Sequence, residues 1–250
     1  MYTNSIVPLV FDSNEIIVSP WTGFLHATPS EDIKKSFEKQ SCKESMKNCL
    51  GIFTLSNYVK KFLNNVCDAP CESVKFAIAT PKIMFDVKSL KHKRIAMIGH
   101  WMRKFESIYK INAPGFQKSI LRCTNKQHDS SVNVIGYLNP DEYEQFLSNT
   151  IVFLDLEDAS ANNTVVECIV RATPIIINRL PAIEEYLGVE YPMFYDNLEE
   201  VQSLLSEDKL LASHQYLMKL DKTEYKIEHM IASIAASKIY QSLPRPVKFF

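Results

Sequence analysis

Short apolar runs recur along this 250-residue chain, and each is followed by an amphipathic stretch. That alternation leaves few folds open. Gly51-Ile-Phe-Thr-Leu-Ser56, Arg94-Ile-Ala-Met-Ile98, Val132-Asn-Val-Ile135, Ile151-Val-Phe-Leu154 and the run 174–178 are short, apolar and bounded by turn residues, as strands buried on both faces are. Residues 57–66 put Tyr58, Val59, Phe62 and Leu63 on one helical face. Helices are also predicted over 141–147, after Asn139-Pro140, and over 164–171 and 182–187. Residues 15–19 and 73–79 read as further strands, the second stopped by Thr80-Pro81, as do 118–122 and 194–195. Residues 30–48 read as two short helices, with Ser41-Cys-Lys-Glu44 as a capping box, and 198–206 and 207–241 read as helical. Strand and helix in regular alternation predict an α/β protein with parallel sheets and helices on both faces. The pattern restarts near residue 93, so two units are expected, with 80–92 as linker. The predicted domains are 1–90 and 91–228, with 229–250 a C-terminal helix and tail packing back on the first.

Only six residues are glycine, against twelve prolines. No two glycines are spaced for G-x-G-x-x-G or for G-x-x-x-x-G-K-[ST], so any phosphate grip is built without a glycine-rich loop. Lys plus Arg is 28 and Asp plus Glu is 29, a net charge of −1, which argues against nucleic acid as a partner. A local exception is 88–104, with Lys88, Lys91, Lys93, Arg94, Arg103 and Lys104 and no acid. It is either a solvated strand flank or a small anion site. The six cysteines form no C-x-x-C pair and no zinc-spaced set with histidine, which fits reduced thiols in a cytoplasmic protein. The N-terminus lacks the form of a secretory signal, and no apolar run approaches the ~20 residues of a membrane span.

Open parallel sheets bind ligands beyond the carboxyl ends of their strands. The loops to inspect therefore follow 15–19, 94–98 and 151–154. The last runs Asp155-Leu-Glu-Asp-Ala-Ser160-Ala-Asn162-Asn163 into a helix starting near Thr164. Ser, Asn and Thr are good caps, and such a helix start presents free amides and a positive dipole that suit a diphosphate. Glu167 has two readings: the end of a capping box, Thr164-Val-Val-Glu167, or an acceptor for a ribose or sugar diol. After Ile98, the loop Gly99-His100-Trp-Met-Arg103-Lys104 carries two adjacent cations, either a diphosphate clamp or surface charge. His26, in Pro20-Trp-Thr-Gly-Phe-Leu-His26, is either a structural histidine or a base or sugar-hydroxyl ligand. No G-x-S-x-G is present, so there is no nucleophile elbow.

The stretch 160–187, with Glu167, Thr173-Pro174 and Ala182-Ile-Glu-Glu185, resembles the donor-site signature of GT-B glycosyltransferases of the group 1 (family 4-like) type. Ile95-Ala-Met-Ile-Gly99 with Arg103 and Lys104 resembles that family's first donor-domain strand and basic clamp. Val134-Ile-Gly136-Tyr137 is similar to the loop near its nucleotide base. Gly51-Ile-Phe-Thr-Leu-Ser56 resembles its last acceptor-domain strand, and Trp21-Thr-Gly-Phe-Leu-His26 the segment holding its active-site histidine. The resemblance implies two Rossmann-like parallel-sheet domains facing a cleft, the N-terminal one reduced. It also implies a nucleotide-diphosphate sugar as donor, UDP- or GDP-linked, and transfer of a hexosyl or deoxyhexosyl group to a glycan or other hydroxyl acceptor. In the implied roles Arg103, Lys104, Asn162, Asn163 and Thr164 hold the diphosphate and Glu167 the ribose or sugar. Gly136 and Tyr137 lie near the base, Gly99, His100 and Ser160 line the cleft, and His26 is catalytic. An inverting reaction would draw its base from His26, Asp12 or Glu15. The proximal Glu of the family's E-x7-E motif would fall at Ala159, with Glu157 and Asp158 nearby, which leaves retaining or inverting stereochemistry open. No Asp-x-Asp occurs, and the expectation is a reaction with no metal and no cofactor. The stretch ahead of the donor domain is short for the family, so either the acceptor domain is minimal or the polypeptide belongs to a longer one. A nucleotide-sugar epimerase of the same fold and a non-catalytic module of a glycan-assembly protein are the alternatives.

Overall fold

The computed structural model describes residues 15–121 and 130–244, which divide into two units. The first runs to Ala77 and resumes at Ile227; the second is Ile78–Lys226.

The first unit holds a parallel sheet in the order β1 (Trp21–Leu25), β2 (Cys49–Thr54), β3 (Cys71–Ser73). Helices Glu31–Glu38 and Gln40–Met46 link β1 to β2, and Asn57–Leu63 links β2 to β3. Ser30 and Ser56 cap the first and last of these, their hydroxyls accepting from the backbone N–H of Ile33 and Val59. The apolar faces meet in one core of Leu25, Phe37, Cys42, Ile52, Val59, Leu63 and Cys71. The helices Ile227–Ala236 and Lys238–Gln241 belong to this unit. Ile239 is buried against Gly51, and its N–H donates to Glu72 Oε1 at 3.2 Å. Gly51 has φ +153°, and a Cβ there would lie 2.5 Å from Ile239 Cγ1 and 2.9 Å from the Pro70 carbonyl oxygen. Gly51→Ala is expected to cost about 1–3 kcal/mol by overpacking, read as a lower denaturation midpoint.

Three expectations for this unit fail. Residues 15–19 are not a strand: Ile16 and Val18 are exposed, and the segment is held by Ile17, whose N–H donates to Ser45 Oγ and whose carbonyl accepts from Asn48. The strand comes after Pro20, disguised by Thr22 and Gly23 within it. The break between the two helices falls at Lys39, so Ser41 lies inside the second helix, past its start. The strand expected over 73–79 ends at Ser73, with only an isolated bridge from Ile78 to Lys226 beyond it.

The second unit is a six-stranded parallel sheet in the order β6-β5-β4-β7-β8-β9. The strands are β4 (Arg94–Ile98), β5 (Gln117–Leu121), β6 (Val132–Ile135), β7 (Ile151–Leu154), β8 (Ile175–Asn178) and β9 (Phe194–Tyr195). Counted within the unit, this is the order 3-2-1-4-5-6 of dinucleotide-binding sheets. Strands β7 and β8 are buried on both faces, as their unbroken apolar runs require. The order reverses between β4 and β7, which pair through Ile95–Ile151 and Ala96–Val152.

Residues 80–92, expected as a linker, are part of this unit. The Phe85 N–H donates to the Arg171 carbonyl at 3.0 Å and the Asp86 N–H to that of Ser148 at 2.8 Å, and 87–92 form a 3-10 turn capped by Asp86. The unit therefore starts at Ile78, not near residue 91. The helical stretch expected over 207–241 is broken. Glu207–Lys219 ends at Leu220, a 3-10 turn spans Thr223–Tyr225, and Ile227–Ala236 lies in the other unit. Among the described residues no helix is long and apolar enough to cross a membrane.

Candidate functional site

The topological switch point brings the loops after β4 and β7 together. Past Ile98 the chain turns through Gly99 (φ +89°) and Met102 (φ +58°), both left-handed. Arg103 then forms an antiparallel bridge with Leu156. The Lys104 N–H donates to the Asp155 carbonyl at 2.9 Å and the Glu157 N–H to the Met102 carbonyl at 3.1 Å. The Arg103 guanidinium is directed by the same turn. Its Nε donates to the Ile98 carbonyl at 3.0 Å and Nη1 to the Trp101 carbonyl at 2.7 Å. Nη2 lies 3.4 Å from both Asn162 Oδ1 and Thr164 Oγ1. Burial lowers the Arg103 pKa to about 10, which leaves it a cation at neutral pH.

The helix after β7 is Asn163–Arg171. Asn162 is its cap, with Oδ1 accepting from the Val165 N–H at 3.3 Å. The first-turn amides thus begin beside the Arg103 guanidinium, with Asn163 exposed and Thr164 buried. With the cap at Asn162, Glu167 stands too far along for a capping box, which needs the acid at the third helical position. Its Oε2 instead accepts from the Tyr143 hydroxyl at 2.6 Å. Burial raises the Glu167 pKa; Tyr143, Arg171 and Arg103 oppose that rise and Glu144 adds to it.

Tyr143 lies on the helix Pro140–Ser148, which starts in a complete capping box of Asn139 and Glu142. The next residue, Glu144, pairs with Arg171, and both side chains are largely buried. Arg171 Nη1 also donates to the Glu167 carbonyl at 3.4 Å. Two neighbours on one helix therefore hold two residues one turn apart on the other. Sequence spacing signals neither Tyr143 nor the Glu144–Arg171 pair, because the partners are joined only by the packing of two helices.

The structure brings Arg103, Asn162, Thr164 and Glu167 together. The Lys104 ammonium lies 3.4 Å from the buried Asp155 carboxylate, which also accepts from the Ser107 hydroxyl. Gly99 sits under the guanidinium, His100 is exposed and Ser160 is buried. Gly136 and Tyr137 follow β6, and Tyr137 is 82% exposed. Ala159 is buried and its N–H donates to Asp158 Oδ1 at 2.7 Å, while Glu157 is exposed. His26 belongs to the first unit, just past β1. It is exposed, its ring is 6.0 Å from that of Phe24, and desolvation lowers its pKa. Glu15 is exposed, and Asp12 lies outside the described residues. The described cysteines are free thiols. Among the described residues no three His, Cys, Asp or Glu side chains are grouped to hold a metal ion.

Two parallel sheets, the second in the dinucleotide-binding order with its charged loops at the switch point, define a GT-B fold. Among solved structures the chain is similar to HepE of Anabaena in complex with UDP and glucose, at 8% identity and a TM-score of 0.71, over 90% of this chain and 72% of that one. It is similar to the trehalose-6-phosphate synthase OtsA at 9% identity and a TM-score of 0.66, over 90% and 67%. It is also similar to sucrose-phosphate synthase of Thermosynechococcus elongatus at 9% identity and a TM-score of 0.63, over 86% and 66%. No family model and no curated protein sequence matches the chain.

Proposed function

We propose that the chain is a metal-independent glycosyltransferase. It would move a hexosyl or deoxyhexosyl group from a UDP- or GDP-linked sugar to a glycan or other hydroxyl acceptor in the cytoplasm. The observation that carries this reading is the Arg103 guanidinium fixed beside the start of the helix Asn163–Arg171, with Glu167 further along the same helix. Guanidinium and helix amides together stabilise the charge that builds on a departing diphosphate, the part a divalent cation plays in other sugar transferases. Lys104, about half exposed, adds a second cation at the edge. Glu167 accepts from the ribose hydroxyls, and Gly136 and Tyr137 lie by the base. His26, its pKa lowered by desolvation, contacts the sugar or accepts the acceptor proton if the reaction inverts. The complex of HepE with UDP and glucose supports a UDP-linked donor.

Calorimetry with UDP, GDP and their sugars, with and without EDTA, tests the site. Binding of at least one nucleotide, unchanged by EDTA, is expected. Failure of all to bind overturns the reading, and a donor screen read by nucleotide release tests transfer. Gly99→Ala is a further check: a Cβ there would lie 2.8 Å from Arg103 Nη2 in a left-handed backbone. It should displace the guanidinium and weaken nucleotide binding by about 10-fold. Unchanged affinity would separate Gly99 from the grip.

A second reading, a non-catalytic nucleotide-sugar-binding module, is favoured by the buried Ala159 where the family's proximal carboxylate would stand. Nucleotide binding with no release from any donor would select it.

A further inference from the structure

We propose that Tyr143 is a positioning residue for Glu167, holding Oε2 so that Oε1 is presented to the ribose diol of a bound nucleotide; this rests on the nucleotide-site reading above. The Tyr143 hydroxyl donates to Oε2 at 2.6 Å, a short O–H···O bond that tethers the carboxylate. The helix carrying Tyr143 is anchored independently, by the Asn139–Glu142 capping box and the Glu144–Arg171 pair, so the phenol has a rigid base. Arg103 lies within electrostatic reach of both Tyr143 and Glu167.

The phenol also has an electrostatic task. A diol donates to a carboxylate, so the ionised form of Glu167 is the binding form. Burial works against that form, as does Glu144 on the helix of Tyr143. Three groups support it: the Tyr143 hydroxyl, Arg171 on Glu167's own helix and Arg103 from the loop after β4. Cys168, next to Glu167, is fully buried. Its thiol is held neutral by that burial and adds no competing negative charge. Removing the hydroxyl while keeping the ring deletes one of three supports, so Glu167 should protonate at a higher pH.

The test is UDP binding by calorimetry between about pH 5 and pH 8, with GDP in parallel, on wild type, Tyr143→Phe and Glu167→Gln. In wild type, affinity should fall as pH drops through the Glu167 pKa. In Tyr143→Phe, binding at neutral pH should be about 3- to 10-fold weaker and the fall should begin at a higher pH. Glu167→Gln should bind weakly and lack that transition; the titration of the nucleotide's own phosphate is common to all three proteins. Tyr143→Phe with wild-type affinity and midpoint overturns the proposal. So does uniform weakening with an unmoved midpoint, which a packing defect alone would produce. Wild type that binds neither nucleotide overturns the site reading itself, and this proposal with it.

Discussion

Arg103→Ala should weaken UDP or GDP binding about 100-fold while leaving the fold intact. Charge-assisted hydrogen bonds to a phosphate are worth roughly 1.5–3 kcal/mol, and here the guanidinium is already directed by the Ile98 and Trp101 carbonyls. The bonds that join the two loops, Lys104 to Asp155 and Glu157 to Met102, are backbone bonds and survive the substitution. Circular dichroism and the denaturation midpoint should therefore change little. Arg103→Lys should recover only part of the affinity, because an ammonium keeps the charge and loses the planar fork. Wild-type affinity in Arg103→Ala would put the diphosphate clamp elsewhere.

Glu144→Ala should destabilise the second unit by about 3–5 kcal/mol. Its carboxylate compensates Arg171, whose side chain is 5% exposed, and accepts from the N–H groups of Lys82 and Ile83 at 3.2 and 3.4 Å. Truncation would leave a buried cation unpaired and remove the acceptor that ties the Lys82 and Ile83 N–H groups to the helix Pro140–Ser148. Replacing both members, Glu144→Leu with Arg171→Met, should restore much of the loss, because two apolar side chains leave no charge stranded. Urea denaturation of the single and double variants reads both effects. A single-variant loss below about 1 kcal/mol would show that the pair contributes as a surface ion pair does.

The strands β4, β7 and β8 were legible because both faces are buried and the apolar run is unbroken. Strand β1 was not, because Pro20, Thr22 and Gly23 disguise a strand whose place is set by pairing with β2. Arg103, Asn162 and Thr164 could be found from the rule that ligands bind at carboxyl ends of parallel strands. The helix start was harder. Ser160, Asn162, Asn163 and Thr164 can all cap, and a local pattern counted from Thr164 turns Glu167 into a capping acid. The cap is Asn162, which frees Glu167 for Tyr143. That bond spans 24 residues and depends on how two helices pack, so no local spacing could reveal it. Lys104 shows the same limit: sequence places it beside Arg103, and only the fold brings its ammonium within 3.4 Å of the Asp155 carboxylate.

The bridge between Arg103 and Leu156 has a consequence for how a ligand is received. Its backbone bonds form when the second unit folds, so the loops after β4 and β7 need not be ordered by an arriving molecule. For the nucleotide proposed above, the loss of conformational entropy would be incurred before encounter, and selectivity among anions would then rest on contact geometry and charge.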